Sequence, residues 1–470
     1  MSDEVPLILM VEKKTHSVIC AGANKEFLDV LYSFLTMPLG TIARLVQQDS
    51  LRGPVQVGSL NTLYESVVNL NKEYLCSDTC KEMLVRPRNS AEHHCRSLKL
   101  NIDDTDPTSY FICPNFHECG INMLSTFKNQ RCECGNIMDH ILPFQSQEAY
   151  QGFLRDGTTF IITDNLHLVP NIMYEDIQSL RSFFDSFLKR NEGDGVLSLE
   201  IIDMNVNKRQ ILDLLKCSLL SKTALSHFFF VNKPILEGLS YPVSFVGYPC
   251  TLQIKVKIVV RKSNRKILYA EGAEDFAEFL SGILTLPLGG VVRLLRAYSS
   301  IGCVDNLYNS IDGLIEEKFF VSKEDKCRLL YPNVAQHFQS NICKQMFPIC
   351  EHTSTFYCDE NHKMKLVDPK SSSEGFFKVH ANLPAMFIVT DDLVVAPASL
   401  MSGYALVKRL KISLRDVIEK NVTIGIKEGF GILKASLTSR SALTNGLWHL
   451  LANFNEENGF VIPVWCKLNM

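Results

Sequence analysis

Four cysteines fall within 22 residues in the pattern Cys113-x5-Cys119, twelve intervening residues, then Cys132-x-Cys134-Gly135. Thiolates are the preferred ligands of zinc, and four of them suit a tetrahedral ion. A glycine after the second pair lets backbone amides turn toward the sulfurs. The spacing departs from ordinary zinc ribbons, which place two to four residues between paired ligands; here the gaps are five and one. His117, separated from Cys113 by three intervening residues, offers an alternative ligand at a more usual spacing. A set supplied wholly by protein leaves no open position, so such a zinc is structural. The competing reading is a loop of reduced cysteines.

Other polar residues carry weaker signals. Asp164 and Asp391 each follow an apolar strand, a place for metal-binding acids or general bases, yet no histidine or second carboxylate recurs beside both, and turn capping is the ordinary role. Arg44 and Arg293 recur on short helices and can bind an anion if other ligands converge; alone they read as solvated helix-face residues. Pro-Leu-Gly turns open those helices at Thr41 and Gly290. Without Gly-x-Gly-x-x-Gly or Gly-Lys-Ser/Thr, a helix–helix corner is expected rather than a phosphate site. The run His93-His94-Cys95, flanked by Arg86, Arg88 and Arg96, reads as a mobile basic loop because Asp103, Asp104 and Asp106 follow at once.

The elements that must position these residues come in two sets. Residues 10–45 align without a gap on 259–294 at an offset of 249, and Leu35-Thr36-Met37-Pro38-Leu39-Gly40 recurs as Leu284-Thr285-Leu286-Pro287-Leu288-Gly289. Gly58 with Leu63-Tyr64 matches Gly302 with Leu307-Tyr308. Thr163-Asp164-Asn165-Leu166 matches Thr390-Asp391-Asp392-Leu393, and Leu215-Lys216-Cys217-Ser218-Leu219 matches Leu433-Lys434-Ala435-Ser436-Leu437. Blocks this long and this ordered indicate a duplicated domain rather than a solenoid. The expected division is a first repeat over 1–235 with a Cys-rich insert at 110–140, a linker at 236–249 rich in proline and glycine, and a second repeat over 250–470.

Each repeat opens as a β-hairpin, with alternation in Ile254, Val256 and Ile258 returning through Ile267-Leu268-Tyr269. Helices follow, with Phe27, Leu28, Leu31, Phe34 and Leu35 at helical spacing, then an apolar strand and closing helices around 211–215 and 431–437. The mixture lacks regular βαβ alternation, so the expected fold class is α+β: two homologous domains, each with an N-terminal hairpin, a mixed sheet and packed helices, the first bearing a small zinc-knuckle-like insert. In the second repeat Cys358 aligns with Cys113 and His362 falls opposite His117, but residues 363–375 hold no Cys or His. That repeat lacks a complete ligand set unless Cys343, Cys350 or His352 folds back.

Of 470 residues, 46% are hydrophobic and 21% charged, enough apolar material for large packed cores. Lys+Arg number 48 against 51 Asp+Glu, a net charge of −3, which argues against a dedicated nucleic-acid or anionic-membrane binder. No run approaches the ~18 apolar residues of a membrane span. The acidic opening Met-Ser-Asp-Glu is unlike a signal or transit peptide, so cytoplasm or nucleus is expected. Sixteen cysteines without a secretory signal are expected to be reduced thiols rather than a disulfide framework.

The hairpin with Lys262, the segment 284–295, the Thr-Asp-Asp-Leu turn at 390–393 and Leu-Lys-Ala-Ser-Leu-Thr-Ser at 433–439 together resemble the plant family called domain of unknown function 674. The resemblance covers nearly the whole chain, in two tandem copies, and implies a land-plant origin; members often carry a Cys-rich insert ending in Cys-x-Cys-Gly, here Cys132 to Gly135. The family supplies no activity to transfer. The expected function is a non-enzymatic interaction or regulatory scaffold with a structural zinc and an unidentified protein partner. One alternative is an enzyme or small-ligand binder whose site lies between the repeats, where Asp164 and Asp391 or Arg44 and Arg293 converge. The other is zinc-dependent nucleic-acid binding through Phe127, Lys128 and Arg131.

Overall fold

Alternating apolar residues build the first hairpin: Val5, Leu7, Leu9 and Val11 turn inward while Ile8 faces solvent. The computed structural model describes residues 4–119, 122–143, 152–171, 198–231, 252–295, 299–357, 363–370, 375–379, 385–399 and 401–452. The expected linker, Cys358 and His362 lie outside the described residues. Strands β1 (Glu4–Glu12) and β2 (Ser17–Asn24) form the hairpin. The Cys-rich insert carries the short strands β3 (Tyr110–Ile112), β4 (Met123–Leu124), β5 (Gln130–Arg131), β6 (Ile137–Met138) and β7 (His140–Leu142). Strands β8 (Thr159–Thr163), β9 (Leu168–Pro170) and β10 (Leu199–Asn207) complete an antiparallel sheet of order β10-β1-β2-β8-β9.

A second sheet follows the same plan. The hairpin β11 (Ile254–Arg261) and β12 (Lys266–Gly272) precedes the short pair β13 (Phe356–Tyr357) and β14 (Lys363–Leu366). Strands β15 (Phe387–Thr390), β16 (Val395–Pro397) and β17 (Val417–Ile424) then give the order β17-β11-β12-β15-β16. The registers correspond: Cys20 faces Thr163 as Tyr269 faces Thr390, and a bulge falls between Met10 and Val11 as between Val259 and Val260. The architecture is a mixed α+β fold.

Each hairpin feeds a buried helix, Lys25–Ser33 or Glu274–Gly282; a 3₁₀ turn follows, and then a second helix. That second helix starts at Leu39 or Leu288, two residues before the expected Thr41 and Gly290. The reason is that Pro38 and Pro287 occupy the cap: their carbonyls accept from Ile42 and Val291, the first bonds of the helix. The Leu-Pro-Leu-Gly motifs meet one another. The amide of Leu39 donates to the carbonyl of Leu286, and that of Leu288 to Met37, both at 2.9 Å, so these helix ends are closed by each other rather than open to an anion. Gly40 and Gly289 permit the approach: a Cβ on either would lie 3.1 Å from Leu284 O or 3.0 Å from Leu35 O.

The two halves share one apolar core, in which Leu35, Met37 and Leu39 join the same cluster as Leu284, Leu286 and Leu288. Segments also cross between halves in matched pairs. The amide of Cys76 donates to Phe376 and that of Val321 to Phe153, while Leu75 bridges Phe377 and Leu154 bridges Phe320. The run at His93 is not a loop: Glu92–Arg96 is a helical turn with His94 and Cys95 buried, His94 Nε2 lying 3.0 Å from Asp325 and its ring stacked on Phe153. The Asp325 carboxylate and the Phe153 ring, both remote in sequence, take in the imidazole that the local basic charge alone would leave in solvent. No helix among the described residues is long and apolar enough to cross a membrane.

Candidate metal centre

The insert folds around its cysteines. Strand β3 pairs antiparallel with β7 and delivers Cys113 directly after Ile112. The turn Phe116–Cys119 returns Cys119, its amide bonded to Asn115 O at 2.8 Å. The β5–β6 hairpin holds Cys132 and Cys134 in its tip, where Cys132 N donates to Asn136 O and Gly135 N to Cys132 O, both 2.9 Å. Gly135 sits at φ +92°, a backbone that favours glycine and lets the tip close under the sulfurs.

The four Sγ atoms lie within 4.8 Å of one another, Cys113 and Cys134 at 3.6 Å. Tetrahedral coordination with Zn–S bonds of ~2.3 Å demands S···S edges of about 3.8 Å, so the donor set fits such an ion with small adjustments. Burial pushes the Cys132 thiol up to about 12 and raises Cys113; at Cys134 the Asn136 backbone N–H and the Cys132 thiol hold the value down to about 7. Phe111, Met123 and Met138 pack beneath the cysteines. His117 is not in this group; it is exposed, its ring edge-on to Phe116.

The insert is fastened to the other half. Strand β4 pairs in parallel with β14, Lys365 N donates to Asn122 O at 2.7 Å and Val367 N to Leu124 O at 2.8 Å, and Ile112, Leu124 and Met364 form a small apolar cluster. In the second half Cys343 is buried, its thiol directed at the Phe279 carbonyl, and Cys350 is exposed; among the described residues neither joins a metal-sized cluster.

The remaining sequence-selected residues have local partners. Asp164 accepts from the Ser226 backbone N–H and hydroxyl, both 2.7 Å, and Asp391 accepts from Thr444 N at 2.8 Å. Each therefore binds the first turn of a short helix, Ala224–Phe229 or Ala442–Gly446. Arg44 is held by Asp104, Thr105 and the Val85 carbonyl, and Arg293 by the Pro348 carbonyl and the Tyr331 ring. Arg44 is thus anchored in an ion pair and is not a solvated surface group.

Two polar positions escaped sequence reading. Asp29 Oδ1 accepts from Phe153 N and Leu154 N at 3.0 Å, and Glu278 Oε2 from Phe376 N and Phe377 N at 2.9 Å. Both are buried, and burial pushes each carboxyl up to about 7. They occupy matching places at the offset of 249, and an acid recurring inside an apolar helix face was the signal that marked them.

No curated protein and no solved structure matches the chain. The family described as protein of unknown function (DUF674) matches residues 1–427, nearly all of the fold including both sheets and the cysteine insert, and the chain belongs to that family.

Proposed function

We propose that Cys113, Cys119, Cys132 and Cys134 hold one structural zinc ion, and that the chain is a non-enzymatic interaction scaffold of two homologous units, residues 1–235 and 250–470, acting on a protein partner. The approach of four sulfurs to within 4.8 Å carries the metal reading. The matched strand orders, registers and bulges support duplication. The roles of Asp164 and Asp391 as helix caps, and of Arg44 in an ion pair, support a scaffold over an enzyme built on those residues.

The test is elemental analysis of the full chain purified without added metal, beside the Cys132→Ser, Cys134→Ser double variant. One zinc per chain, absent from the variant, is the expected result. Native protein free of metal, with four thiols that titrate independently, overturns it.

A further inference from the structure

A cavity of about 100 Å³ opens where the halves meet, beside the bridge between Asn89 and Val334 and the 2.7 Å hydrogen bond from Ser90 Oγ to Asn333 O. One wall comes from the first half, with Arg88 and His93; the other comes from the second half, with Phe338, His352 and Ser354. None of the four cysteines lines it, so it stands apart from the metal reading.

The walls carry one guanidinium, Arg88, and one carboxylate, Glu92. The Arg88 guanidinium lies 4.3 Å from the Phe127 ring centroid and 5.7 Å from that of Phe338, and donates one bond, to Thr126 O at 2.7 Å. Among the described residues no carboxylate is within ion-pair distance of it, and its other N–H groups have no protein acceptor. Arg88 is half-buried, and burial lowers its affinity for its proton, while the Glu92 and Glu82 carboxylates act on its guanidinium from beyond ion-pair distance. Across the cavity, His352 Nδ1 meets Ser354 Oγ at 3.0 Å; burial, Arg328 and His93 together hold this imidazole below its ordinary range. Glu92 is the acid in the lining, and its carboxylate already accepts from Arg96 Nε at 2.9 Å, Thr108 N at 2.8 Å and Thr108 Oγ1 at 2.5 Å.

We infer that this cavity binds a small oxyanion, a phosphate or a carboxylate, with the planar fork of Arg88 as its main anchor and His352 as a further donor. The fork matches such anions in a two-point contact, which a lysine cannot copy. The aromatic faces of Phe127 and Phe338 fix the guanidinium plane in advance. Roughly 10–15 Å³ of such space is needed for one water, so the volume admits an anion of several heavy atoms and little more.

The experiment titrates the full-length, metal-replete protein with inorganic phosphate and, separately, with acetate at constant ionic strength, following the His352 ring signals by NMR. Saturable binding of either probe, with the His352 pKa raised in its presence, is expected; phosphate alone or acetate alone identifies the class of anion. Arg88→Gln should weaken the binding at least tenfold, and Arg88→Lys should restore only part of it. Should Arg88→Gln fail to fold, His352→Gln serves as the second variant and should weaken the same probe. Linear, non-saturating shifts with both probes, or affinity unchanged in a folded Arg88→Gln protein, overturns the inference.

Discussion

Ser59 and Ser436, from opposite halves of the chain, are joined through their backbones: the amide of Ser59 donates to the carbonyl of Ser436 at 2.8 Å. The reverse contact is made by Cys303, whose amide donates to Ser218 O at the same distance. Each bond sits beside a glycine with φ of +49°, Gly58 or Gly302, and each glycine lies against the last turn of a long closing helix from the other half, Ile426–Thr438 or Lys208–Leu220. The halves are thus held together by main-chain bonds that depend on two missing side chains.

A methyl group at these positions should be destabilising. A Cβ on Gly302 would fall 2.2 Å from Ser218 O, and one on Gly58 2.6 Å from Ser436 O. Backbone is the obstacle in both cases, so the helices must move apart. Gly302→Ala is expected to cost about 2–4 kcal/mol, from the left-handed φ and the steric clash together. Gly313→Ala is the control, since Gly313 has φ −74° and nothing within 4 Å of its Cβ position; it should leave stability unchanged or raise it by up to about 1 kcal/mol. Urea unfolding of the three proteins decides the matter.

The buried acids predict a pH dependence. Asp29, with Lys25 and Asp325 as its charged neighbours, and Glu278, beside Cys76 and Ser340, both titrate near 7 in the folded chain. An unfolded carboxyl titrates near 4, so the folded state holds these protons more tightly. Their contribution to stability is fully present below about pH 4 and is lost as pH rises through 7. Between pH 5 and pH 8 the unfolding free energy of the wild type should fall by about 2–3 kcal/mol relative to Asp29→Asn, which carries no titrating group there. A constant difference across that range would show that Asp29 is ionised throughout.

Metal removal should be felt beyond the insert. On the proposed metal reading, because β4 pairs with β14, removing the ion should expose not only the insert but the amides of Lys365 and Val367, which bond to Asn122 and Leu124. Hydrogen exchange on chelator-treated protein should therefore quicken at Lys365 and Val367 while β11 and β12 stay protected. Global loss of protection would mean that the centre supports the whole core. Unchanged exchange at Lys365 would mean that the β4–β14 pairing stands without it.

What the sequence made legible was local and periodic. The alternation of Ile254, Val256 and Ile258, the turn before Ile267 and the repeated Leu-Pro-Leu-Gly located hairpins and helices in both halves. The four cysteines were legible by type and clustering. The crossings were not: nothing near Cys76 announces that its amide will meet Phe376, because that bond is set by how two apolar faces dock. Likewise the local charges around His94 suggested solvent, while its fate was decided by Asp325 and Phe153, both remote in sequence. Arg88 looked like one arginine among three until the second half supplied the opposite wall of its cavity.

The acids after the apolar strands should prove to be caps. Asp164 binds the Ser226 amide and hydroxyl, and Ser226 Oγ in turn accepts from Val18 N at 2.8 Å; Asp391 binds Thr444 N, and Thr444 Oγ1 accepts from Ile267 N at 2.9 Å. The same relay, acid to hydroxyl residue to hairpin strand, is built twice. Removing either acid leaves a helix-start amide without its acceptor, so Asp164→Ala and Asp391→Ala should each cost about 1–2 kcal/mol. Asparagine keeps an acceptor oxygen and should cost less than alanine at both sites. Thermal unfolding of the four variants tests this ordering, and the opposite one, with asparagine as damaging as alanine, would assign these carboxylates a role that needs their charge.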